Sequence, residues 1–475
     1  MVIWFKLYTI IAMQSLRKIR IRIAILLMLP LLLCCSKTDF LDVKPNESMA
    51  EPRTLDHYQA LMDSDGAMNG AGTSLQLYPG MLELGTDNVW IPDTRYINNI
   101  DEQLRGIYTW QETPYAGLEI RDWNRPYLAV LNCNLVLEGL NGLPRDASNG
   151  DQWDGIKGAA LFHRAHAFSM LSSLFVPAYD QATADLLKGI PLRMSADVNE
   201  KLTLSTVKQT YNRILEDLKE AANLLPMETQ YKTRPSKRAC WALLSRIYLW
   251  MSDYEQSNYY ADLSLNVNDD LLDYNMYSTT TNYPFPRFNA EVIFNCNMIF
   301  LTSHYRMDTT FYRSYDNNDL RKALFYKSQN PTDGYRFYGN YDGTTYFFAG
   351  LANDELYLNR AESYARMGMI EQALADLNTL IGKRWRVISG VSTFVPYGEM
   401  DRDALIDVIL EERRKQLVWR GLRWPDLKRI NLESDRATTL RRMVNGELFE
   451  IQPNDLRYVY PIPDPVLNLN PNIYP

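Results

Sequence analysis

Histidine and cysteine are scarce in this sequence of 475 residues, which contains only four His and five Cys. Cys34 and Cys35 are adjacent at the end of an apolar run and the other three cysteines are isolated. This pattern predicts neither a disulfide framework nor a cysteine zinc site. His163 and His166 are three residues apart, but no third ligand is spaced nearby. We therefore expect packed or surface histidines, and we predict no metal ion and no cofactor.

Motifs of the common catalytic machineries are also missing. The sequence contains no G-x-S-x-G nucleophile elbow, no phosphate-binding P-loop and no H-E-x-x-H metalloprotease motif. Adjacent carboxylates such as Glu411 and Glu412 are poor evidence for glycosidase chemistry, because acidic residues are abundant throughout the chain. On the helix predicted to carry Glu412, Arg413 and Arg414 we expect a structural ion network. We predict a protein without catalytic activity.

Positive charge is in deficit, with 50 Lys and Arg against 57 Asp and Glu and a formal net charge of -7. Five basic residues and no acid lie within residues 1–34, so removal of that segment takes the net charge from -7 to -12. A chain this acidic is repelled by phosphate backbones. We therefore expect no nucleic-acid partner.

The N-terminal residues set the expected compartment. A basic cluster at residues 17–22 precedes the apolar run Ile23–Leu33. This run is too short for a membrane span and has the proportions of a signal-peptide core. We predict a signal peptide over residues 1–34, and Met13 stands at the distance expected of its true start.

The apolar run ends in Leu32-Leu33-Cys34-Cys35-Ser36, which resembles a bacterial lipobox. A small residue precedes the lipidated cysteine in that motif, so Cys35 after Cys34 fits better than Cys34 after Leu33. We predict lipidation of Cys35, a polar tether over residues 35–51 and a mature chain at a membrane surface. The alternative is an ordinary secretory signal with two incidental cysteines.

Helical periodicity dominates the chain beyond the tether. In residues 370–381 the apolar side chains recur with the helical period and fall on one face. Ser205 is the predicted N-cap of a helix that ends before Pro226. Similar apolar faces predict helices over Trp123–Leu140, Trp153–Phe175, Val207–Leu225, Ser236–Trp250 and Arg402–Trp419.

Two segments of the sequence echo each other. Residues 248–257, Tyr-Leu-Trp-Met-Ser-Asp-Tyr-Glu-Gln-Ser, align with residues 364–373, Tyr-Ala-Arg-Met-Gly-Met-Ile-Glu-Gln-Ala. Each segment predicts a helix, a tight turn and a second helix with small residues near the crossing. Such tetratricopeptide-like hairpins cannot bury their apolar faces alone and must stack. We therefore predict a mostly α protein built on a helical-hairpin scaffold.

Aromatic residues are abundant, with 31 Tyr, 16 Phe and 10 Trp. Many of them lie in two stretches, Gly85–Gln103 and Tyr274–Phe348. In the second stretch Asn, Asp, Gly and Pro cluster in turn-like groups, which predict loops and short strands. Loops inserted between scaffold helices are where binding residues tend to lie.

A single Tyr or Phe in these stretches is usually a core residue. Taken together, flat aromatic surfaces with amide and carboxylate partners suit sugar rings, which have apolar faces and polar edges. Tyr side chains suit a peptide ligand equally well. The candidate ligand-binding residues are Asp87, Trp90, Tyr96 and Asn98 in the first stretch and Tyr305, Tyr315, Tyr338 and Tyr341 in the second.

Five groups of segments form an ordered set of motifs along the predicted mature chain. They are Cys35–Pro45, Lys157–Phe168 with Lys188–Arg193, Arg234–Leu249, Glu411–Arg429, and Tyr460–Pro463 with Asn468–Asn472. In this order they resemble the SusD/RagB family of outer-membrane nutrient-binding lipoproteins. Two features depart from the family pattern. Arg420 stands where an acid is common, and residues 175–180 replace a glycine-rich turn.

The resemblance implies a fold in which tetratricopeptide-like helix pairs form an α-α superhelix. A more irregular part of loops and short strands then carries the ligand site. We expect residues 52–475 to form a single domain. Its N-terminal part covers about 52–230 and its C-terminal part about 231–475.

The resemblance also implies a function. We expect a lipid-anchored, surface-exposed protein of the cell outer membrane that captures oligosaccharide and passes it to a SusC-like TonB-dependent outer-membrane barrel. A peptide receptor of the same family remains open as an alternative. Two alternatives of other classes are a secreted glycoside hydrolase and a structural adaptor that binds no small ligand.

Overall fold

Paired α-helices make up most of the regular structure in the described part of the chain. The computed structural model describes residues 52–70, 79–115, 117–118, 120–298, 304–328, 330, 333–471 and 473. Its 17 α-helices within these ranges are α1 Leu55–Met62, α2 Asp65–Met68, α3 Met81–Leu84, α4 Asp93–Asn98, α5 Glu102–Tyr108, α6 Arg121–Leu140, α7 Gly150–Phe175, α8 Val207–Leu224, α9 Lys237–Trp250, α10 Tyr254–Leu265, α11 Thr309–Arg313, α12 Leu320–Phe325, α13 Asn353–Arg366, α14 Ile370–Gly382, α15 Arg402–Gln416, α16 Arg423–Ile430 and α17 Asp464–Leu469.

The strands in the described ranges are short and form only two-stranded antiparallel pairs. They are β1 Val89–Trp90, β2 Lys188–Pro191, β3 Leu204–Thr206, β4 Val292–Phe294, β5 Asn297–Met298, β6 Arg306–Met307, β7 Tyr326–Lys327, β8 Arg336–Phe337, β9 Phe347–Phe348, β10 Leu351–Ala352, β11 Val387–Ile388, β12 Val391–Ser392, β13 Leu440–Val444 and β14 Glu447–Ile451. The pairs are β1–β6, β2–β3, β4–β10, β5–β9, β7–β8, β11–β12 and β13–β14. A helical scaffold with an irregular short-strand part confirms the predicted fold class.

The two echoing segments of the sequence form the same helical hairpin. α9 turns into α10 and α13 turns into α14. At the first turn the N–H of Asp253 donates to the Tyr248 carbonyl at 2.9 Å, and the N–H of Met369 makes the equivalent bond at 2.8 Å. The residue before each donor is left-handed, with φ of 58° at Ser252 and 79° at Gly368. A left-handed residue ends the first helix and reverses the chain, so the echo is a structural repeat.

Small polar residues let the hairpins pack closely. The Ser257 hydroxyl on α10 donates to the Ser245 carbonyl on α9 at 2.9 Å. The Asn359 amide on α13 donates to the Ser245 hydroxyl at 3.2 Å. Helices α6, α7, α8 and α9 also pack together, each against the next one along the chain. Helix α13 packs against α15. The result is a continuous stack of helix pairs.

Capping side chains fix where α8 begins. Thr206 and Gln209 form a capping box, in which each side chain accepts from the other residue's backbone N–H. The prediction that Ser205 is the N-cap was wrong by one residue. Ser205 lies in β3, and its hydroxyl donates to the Ile190 carbonyl at 2.7 Å. The Thr206 and Gln209 side chains together satisfy two free N–H groups, and this box places the N-cap at Thr206.

The Glu-Arg-Arg run on α15 forms a buried ion network, as predicted. Arg321 donates to Glu412 at 2.5 Å, and Arg413 donates to Asp426 on α16 at 2.8 Å. The predicted helix to Trp419 is too long. α15 ends at residue 416, and Trp419 has a left-handed φ of 58°.

Several predictions fall outside the described residues. These are the signal peptide over residues 1–34, the lipidated Cys35 and the tether over residues 35–51. Within the described ranges, no helix combines the length and apolar character needed to cross a membrane.

The cysteines of the described ranges are Cys133, Cys240 and Cys296, and all three are free and buried. Burial raises the pKa of the Cys133 thiol to about 12 and raises the pKa of the other two thiols further. These side chains therefore pack as small apolar groups.

Arg164 and Asp217 tie α7 to α8 through a buried ion pair. The guanidinium donates two hydrogen bonds to the carboxylate, at 2.7 and 2.8 Å. The two side chains are only 6% and 1% exposed. Removing one partner would leave the other charge buried, which is far more costly than losing a pair at the surface.

The substitution Asp217→Ala should lower the free energy of unfolding by about 3–5 kcal/mol, because it leaves the Arg164 charge without its carboxylate. The matched control is Asp185→Ala, which removes an exposed ion pair with Lys208 and should leave the free energy of unfolding nearly unchanged. Urea denaturation followed by circular dichroism measures both values. Equal losses in the two variants would contradict the assignment.

His163 and His166 on α7 are packed histidines, as expected from the sequence. His163 is 2% exposed and its ring lies 5.8 Å from that of Phe294. Neither ring nitrogen of His163 has a hydrogen-bond partner among the described residues. Burial lowers the pKa of His163 to about 4 and holds the pKa of His166 well below 6.5.

Because of this depressed pKa, His163 should make stability depend on pH. The unfolded chain binds a proton at this residue below about pH 6.5, whereas the folded chain binds it only near pH 4. The contribution of the neutral His163 to the free energy of unfolding is therefore fully present above pH 6.5. It is lost as the pH falls towards 4. Between pH 7 and pH 5 the wild-type protein should lose about 2 kcal/mol more unfolding free energy than His163→Leu. Urea titrations at both pH values test this, and parallel losses would refute it.

Candidate ligand-binding face

The two aromatic-bearing stretches of the sequence meet through a short strand pair. β1 from the first stretch lies antiparallel to β6 from the second, with Val89 opposite Met307 and Trp90 opposite Arg306. The pairing joins residues that are more than 200 positions apart in the chain. It brings Trp90 to the segment around Arg306, which is the proximity that a shared ligand site requires.

Asp333 holds this junction together. It accepts hydrogen bonds from Arg95 at 2.8 Å and from Arg306 at 2.5 Å. Arg306 also donates its Nε to the Asp333 carbonyl at 2.8 Å. Partial burial raises the pKa of the Asp333 carboxyl, but the hydrogen bonds from the two arginines outweigh this and hold the pKa below its usual range. The carboxylate therefore stays ionised.

Flat aromatic surface lies beside Asp333. The Trp90 ring packs against Gly334, where an added Cβ would lie only 3.1 Å from the ring. The next residue, Tyr335, stacks on Tyr312 of α11 with ring centroids 3.6 Å apart and planes 17° apart. The Tyr335 carbonyl accepts from the N–H of Met307 at 2.9 Å. Trp90, Tyr312 and Tyr335 are half-buried, so part of each side chain meets solvent.

We call this set the aromatic face, defined as Trp90, Arg95, Arg306, Tyr312, Asp333 and Tyr335. Its rings offer apolar surface for the faces of a ligand. Its guanidinium groups and carboxylate offer hydrogen-bond donors and acceptors for the ligand's edges. Because the face is anchored by a strand pair and two ion pairs, its groups are held in place before a ligand arrives.

Tyr96 and Asn98, both predicted as ligand contacts, lie on α4 near Arg95. Tyr96 is half-buried, and the Arg105 guanidinium lies 5.6 Å from its ring centroid. Asn98 is exposed, and its amide donates to the Thr94 carbonyl at 2.9 Å. Both residues stay candidates at the border of the aromatic face.

The predicted tyrosines of the second stretch lie in the core. Tyr305 and Tyr315 are 1% exposed, Tyr341 is fully buried and Tyr338 is 9% exposed. The Tyr341 hydroxyl donates to the Glu291 carboxylate at 2.7 Å. These side chains pack the irregular part instead of facing solvent, and we replace them with Tyr312 and Tyr335 as candidate contacts.

Neighbouring positions on α11 differ in burial. Phe311 is 4% exposed, and Tyr315, which lies two residues beyond the end of this helix at Arg313, is 1% exposed. The Tyr315 hydroxyl donates to the Lys415 carbonyl at 2.9 Å. Tyr312 follows Phe311 directly and so points to another side of the helix, where it is half-buried. The sequence alone does not show which of these adjacent aromatic residues faces solvent.

Asp87 has a different setting from the other candidates. Arg423 binds its carboxylate through two hydrogen bonds of 2.9 and 2.8 Å, and Arg414 approaches it at 3.2 Å. Burial raises the pKa of Asp87, but the two guanidinium charges outweigh this and hold it far below its usual range. Both arginines line a cavity of about 550 Å³. Asp308, the N-cap of α11, and Phe311 on α11 also line it. Asp87 thus orients the walls of this cavity.

Two carboxyl groups with raised pKa values lie outside the aromatic face, the buried Glu83 and the half-buried Asp122. Burial raises the pKa of Glu83 to about 8 and that of Asp122 to about 6. Glu83 accepts from the N–H of Gly421 at 2.7 Å, and Asp122 accepts from the N–H of Met81 at 2.9 Å. In the described ranges, no group of three or more His, Cys, Asp or Glu side chains is placed to hold a metal ion.

Comparison with known proteins gives consistent matches. A family model described as "Starch-binding associating with outer membrane" matches residues 39–249, and a model described as "SusD family" matches residues 245–474. The SusD-like protein P2 of Formosa agariphila is 22% identical over 425 residues, which covers 76% of this chain and 80% of that protein.

Solved structures share the fold. A SusD superfamily protein from Bacteroides thetaiotaomicron aligns with a TM-score of 0.72 at 23% identity, covering 88% of this chain and 98% of that one. A SusD-like carbohydrate binding protein from Bacteroides vulgatus aligns with a TM-score of 0.63 at 16% identity, covering 89% of this chain and 97% of that one. Since the two family models together span residues 39–474, this chain belongs to the SusD/RagB family of outer-membrane binding proteins.

Proposed function

We propose that this protein is a cell-surface receptor that captures oligosaccharide and delivers it, without catalysis, to a SusC-like TonB-dependent outer-membrane barrel. The observation that carries the proposal is the stacked Tyr312–Tyr335 pair beside Trp90, with Asp333 and its two arginines next to it. The family membership supports the same function, because one matching family model is described as starch-binding and associated with the outer membrane.

The chemistry of the aromatic face suits a sugar chain. Pyranose rings present C–H groups on their faces, which pack on flat aromatic surface, and hydroxyl groups on their edges. Ring hydroxyls both donate and accept, so a carboxylate flanked by guanidinium groups can bind neighbouring hydroxyls of one sugar. Several such rings in a row give affinity through many modest contacts, which suits a receptor that must later release its ligand.

The state of the acids on the face argues against glycoside hydrolysis. A glycosidase needs one carboxylic acid that keeps its proton and a second carboxylate within about 5–10 Å. Asp333 is held ionised by Arg306 and Arg95. Glu83 and Asp122, whose pKa values are raised, lie outside the aromatic face and accept hydrogen bonds from backbone N–H groups. The aromatic face thus lacks the matched acid pair among the described residues, and a binding role fits it better.

The leader sequence and the family support the proposed membrane attachment and the proposed barrel partner. The basic cluster, short apolar run and Cys34-Cys35 pair support export and acylation at Cys35. An acyl anchor would hold the receptor at the outer surface of the outer membrane beside its barrel. The barrel would then take up ligand released from the aromatic face.

A peptide receptor is the second candidate function. Tyr312, Tyr335 and the arginines around Asp333 could bind peptide side chains and carboxylates as well as they bind sugars. Isothermal titration calorimetry with a glycan library and a peptide library separates the two candidates, because only one class should release heat at micromolar protein concentration.

Once a glycan ligand is identified, the substitutions Trp90→Ala and Tyr335→Ala should each weaken its binding by about tenfold or more, because each removes stacking surface. Calorimetry measures the dissociation constants, and circular dichroism confirms that both variants are folded. The control is Tyr259→Ala, which removes a tyrosine that is 53% exposed on scaffold helix α10. The face assignment fails if Tyr259→Ala weakens binding as much as the other two substitutions.

Acylation can be tested in the producing cell. The substitution Cys35→Ala should abolish incorporation of labelled fatty acid and leave the protein outside the membrane fraction, because the thiol that receives the lipid is gone. Cys34→Ala is the matched control and should be labelled like the wild type. Labelling that persists in Cys35→Ala but disappears in Cys34→Ala would move the anchor by one residue and contradict the prediction.

A further inference from the structure

Positive charge gathers at the aromatic face of a chain that is acidic overall. Arg95 and Arg306 both form ion pairs with the same carboxylate, that of Asp333, at 2.8 and 2.5 Å. Two guanidinium groups therefore share one anion. The side chains of Arg95 and Asp333 are 26% and 29% exposed, so this cluster opens to solvent.

Further basic groups surround the same junction. Arg336 on β8 stands directly opposite Lys327 on β7, and like charges in this register repel each other. His304 precedes β6 and is half-buried. Burial lowers the pKa of His304, and the charges of Arg95 and Arg306 lower it further. Arg95 and Arg306 thus act electrostatically on His304 from nearby.

The Arg306 guanidinium lies among these charges. Its side chain is fully buried, and burial lowers its pKa. The hydrogen bond and the charge of Asp333 raise the pKa, while the charges of Arg95 and Arg336 lower it. Arg95 and Arg336 are therefore close enough to Arg306 to form one cationic cluster, which would attract an anionic group of a ligand.

A cluster of basic side chains is unusual in a chain that is acidic overall, and binding of an anionic ligand would explain it. The chain has a formal net charge of -7, and acids pair with most buried arginines elsewhere, for example Glu355 with Arg246 and Glu362 with Arg429. A cationic patch on an acidic protein attracts anionic ligands and repels neither sugar rings nor their hydroxyls. Arginine forks match carboxylate and sulfate groups through paired hydrogen bonds.

We propose that the aromatic face selects oligosaccharides that carry anionic groups, either the carboxylates of uronic acids or sulfate esters. This inference rests on the proposed function and adds the charge class of the sugar. The rings of Trp90, Tyr312 and Tyr335 contact the sugar backbone. The guanidinium groups of Arg95 and Arg336 bind its anionic substituents, and Asp333 orients Arg95.

Pairs of ligands that differ in their anionic groups test whether ligand charge determines affinity. We would titrate the mature protein with oligogalacturonate and with its methyl ester, which differ in the carboxylate charge. A second pair, sulfated carrageenan oligosaccharide and its desulfated form, differs in the sulfate groups. The charged member of at least one pair should bind about tenfold or more tightly than the neutral member. That advantage should shrink at high ionic strength, because salt screens partly exposed charges.

Variants connect this advantage to the named residues. Arg95→Gln and Arg336→Gln should each reduce affinity for the preferred charged ligand by about tenfold, and each should reduce affinity for the neutral form by clearly less, because the neutral form has only hydroxyl groups to place there. Arg95→Lys should recover part of the loss, since it keeps the charge. The control is Arg441→Gln, which removes an exposed arginine on the β13–β14 hairpin and should change neither affinity.

The outcomes separate the two proposals. Equal affinities for charged and neutral ligands, with binding still weakened by Trp90→Ala, would overturn the anion selectivity and leave the oligosaccharide receptor standing. Binding of poly-glutamate but of no glycan would overturn both proposals in favour of an acidic peptide ligand. Preference for one charged pair over the other identifies carboxylate or sulfate as the recognised group and supports the inference.

Discussion

Buried guanidinium–carboxylate pairs determine how the irregular part of this protein is attached to its helices. Arg384, just beyond α14, binds Glu291 ahead of β4 at 2.7 Å, and both side chains are fully buried. Arg420, which departs from the family pattern, binds Asp354 at the start of α13 at 2.8 Å. Separating such a pair would strand a charge in the core at a cost of several kcal/mol. The loops and short strands are therefore held to the scaffold wherever these pairs occur.

The aromatic face uses the same kind of pair at the boundary with solvent. Arg384 and Glu291 are buried and serve only to hold segments together. Arg95 and Asp333 are partly exposed, so the proposed ligand could reach them. The deep pairs keep the scaffold rigid, and this rigidity holds the exposed pair in a fixed position beside the rings. Pre-organisation of the face is thus a consequence of charge pairing in the core.

The sequence predicted the scaffold better than the site, for physical reasons. Helical periodicity is a local signal, and it located the bounds of α9 and α14 to within one residue at each end. Whether a tyrosine faces ligand or core depends on contacts made across the fold. Tyr341 is buried because it reaches Glu291, 50 residues away, and Asp333 is a candidate contact because it meets Arg95, 238 residues away. No local pattern in the sequence encodes such pairings.

The burial of the three core thiols affects how readily they react with oxidants. Cys133, Cys240 and Cys296 are shielded from solvent, and their raised pKa values suppress the thiolate form that reacts with oxidants. Folding itself therefore protects the described cysteines from oxidation, and none of the three cross-links another part of the fold. Their resistance to an oxidising environment depends on how seldom the core opens.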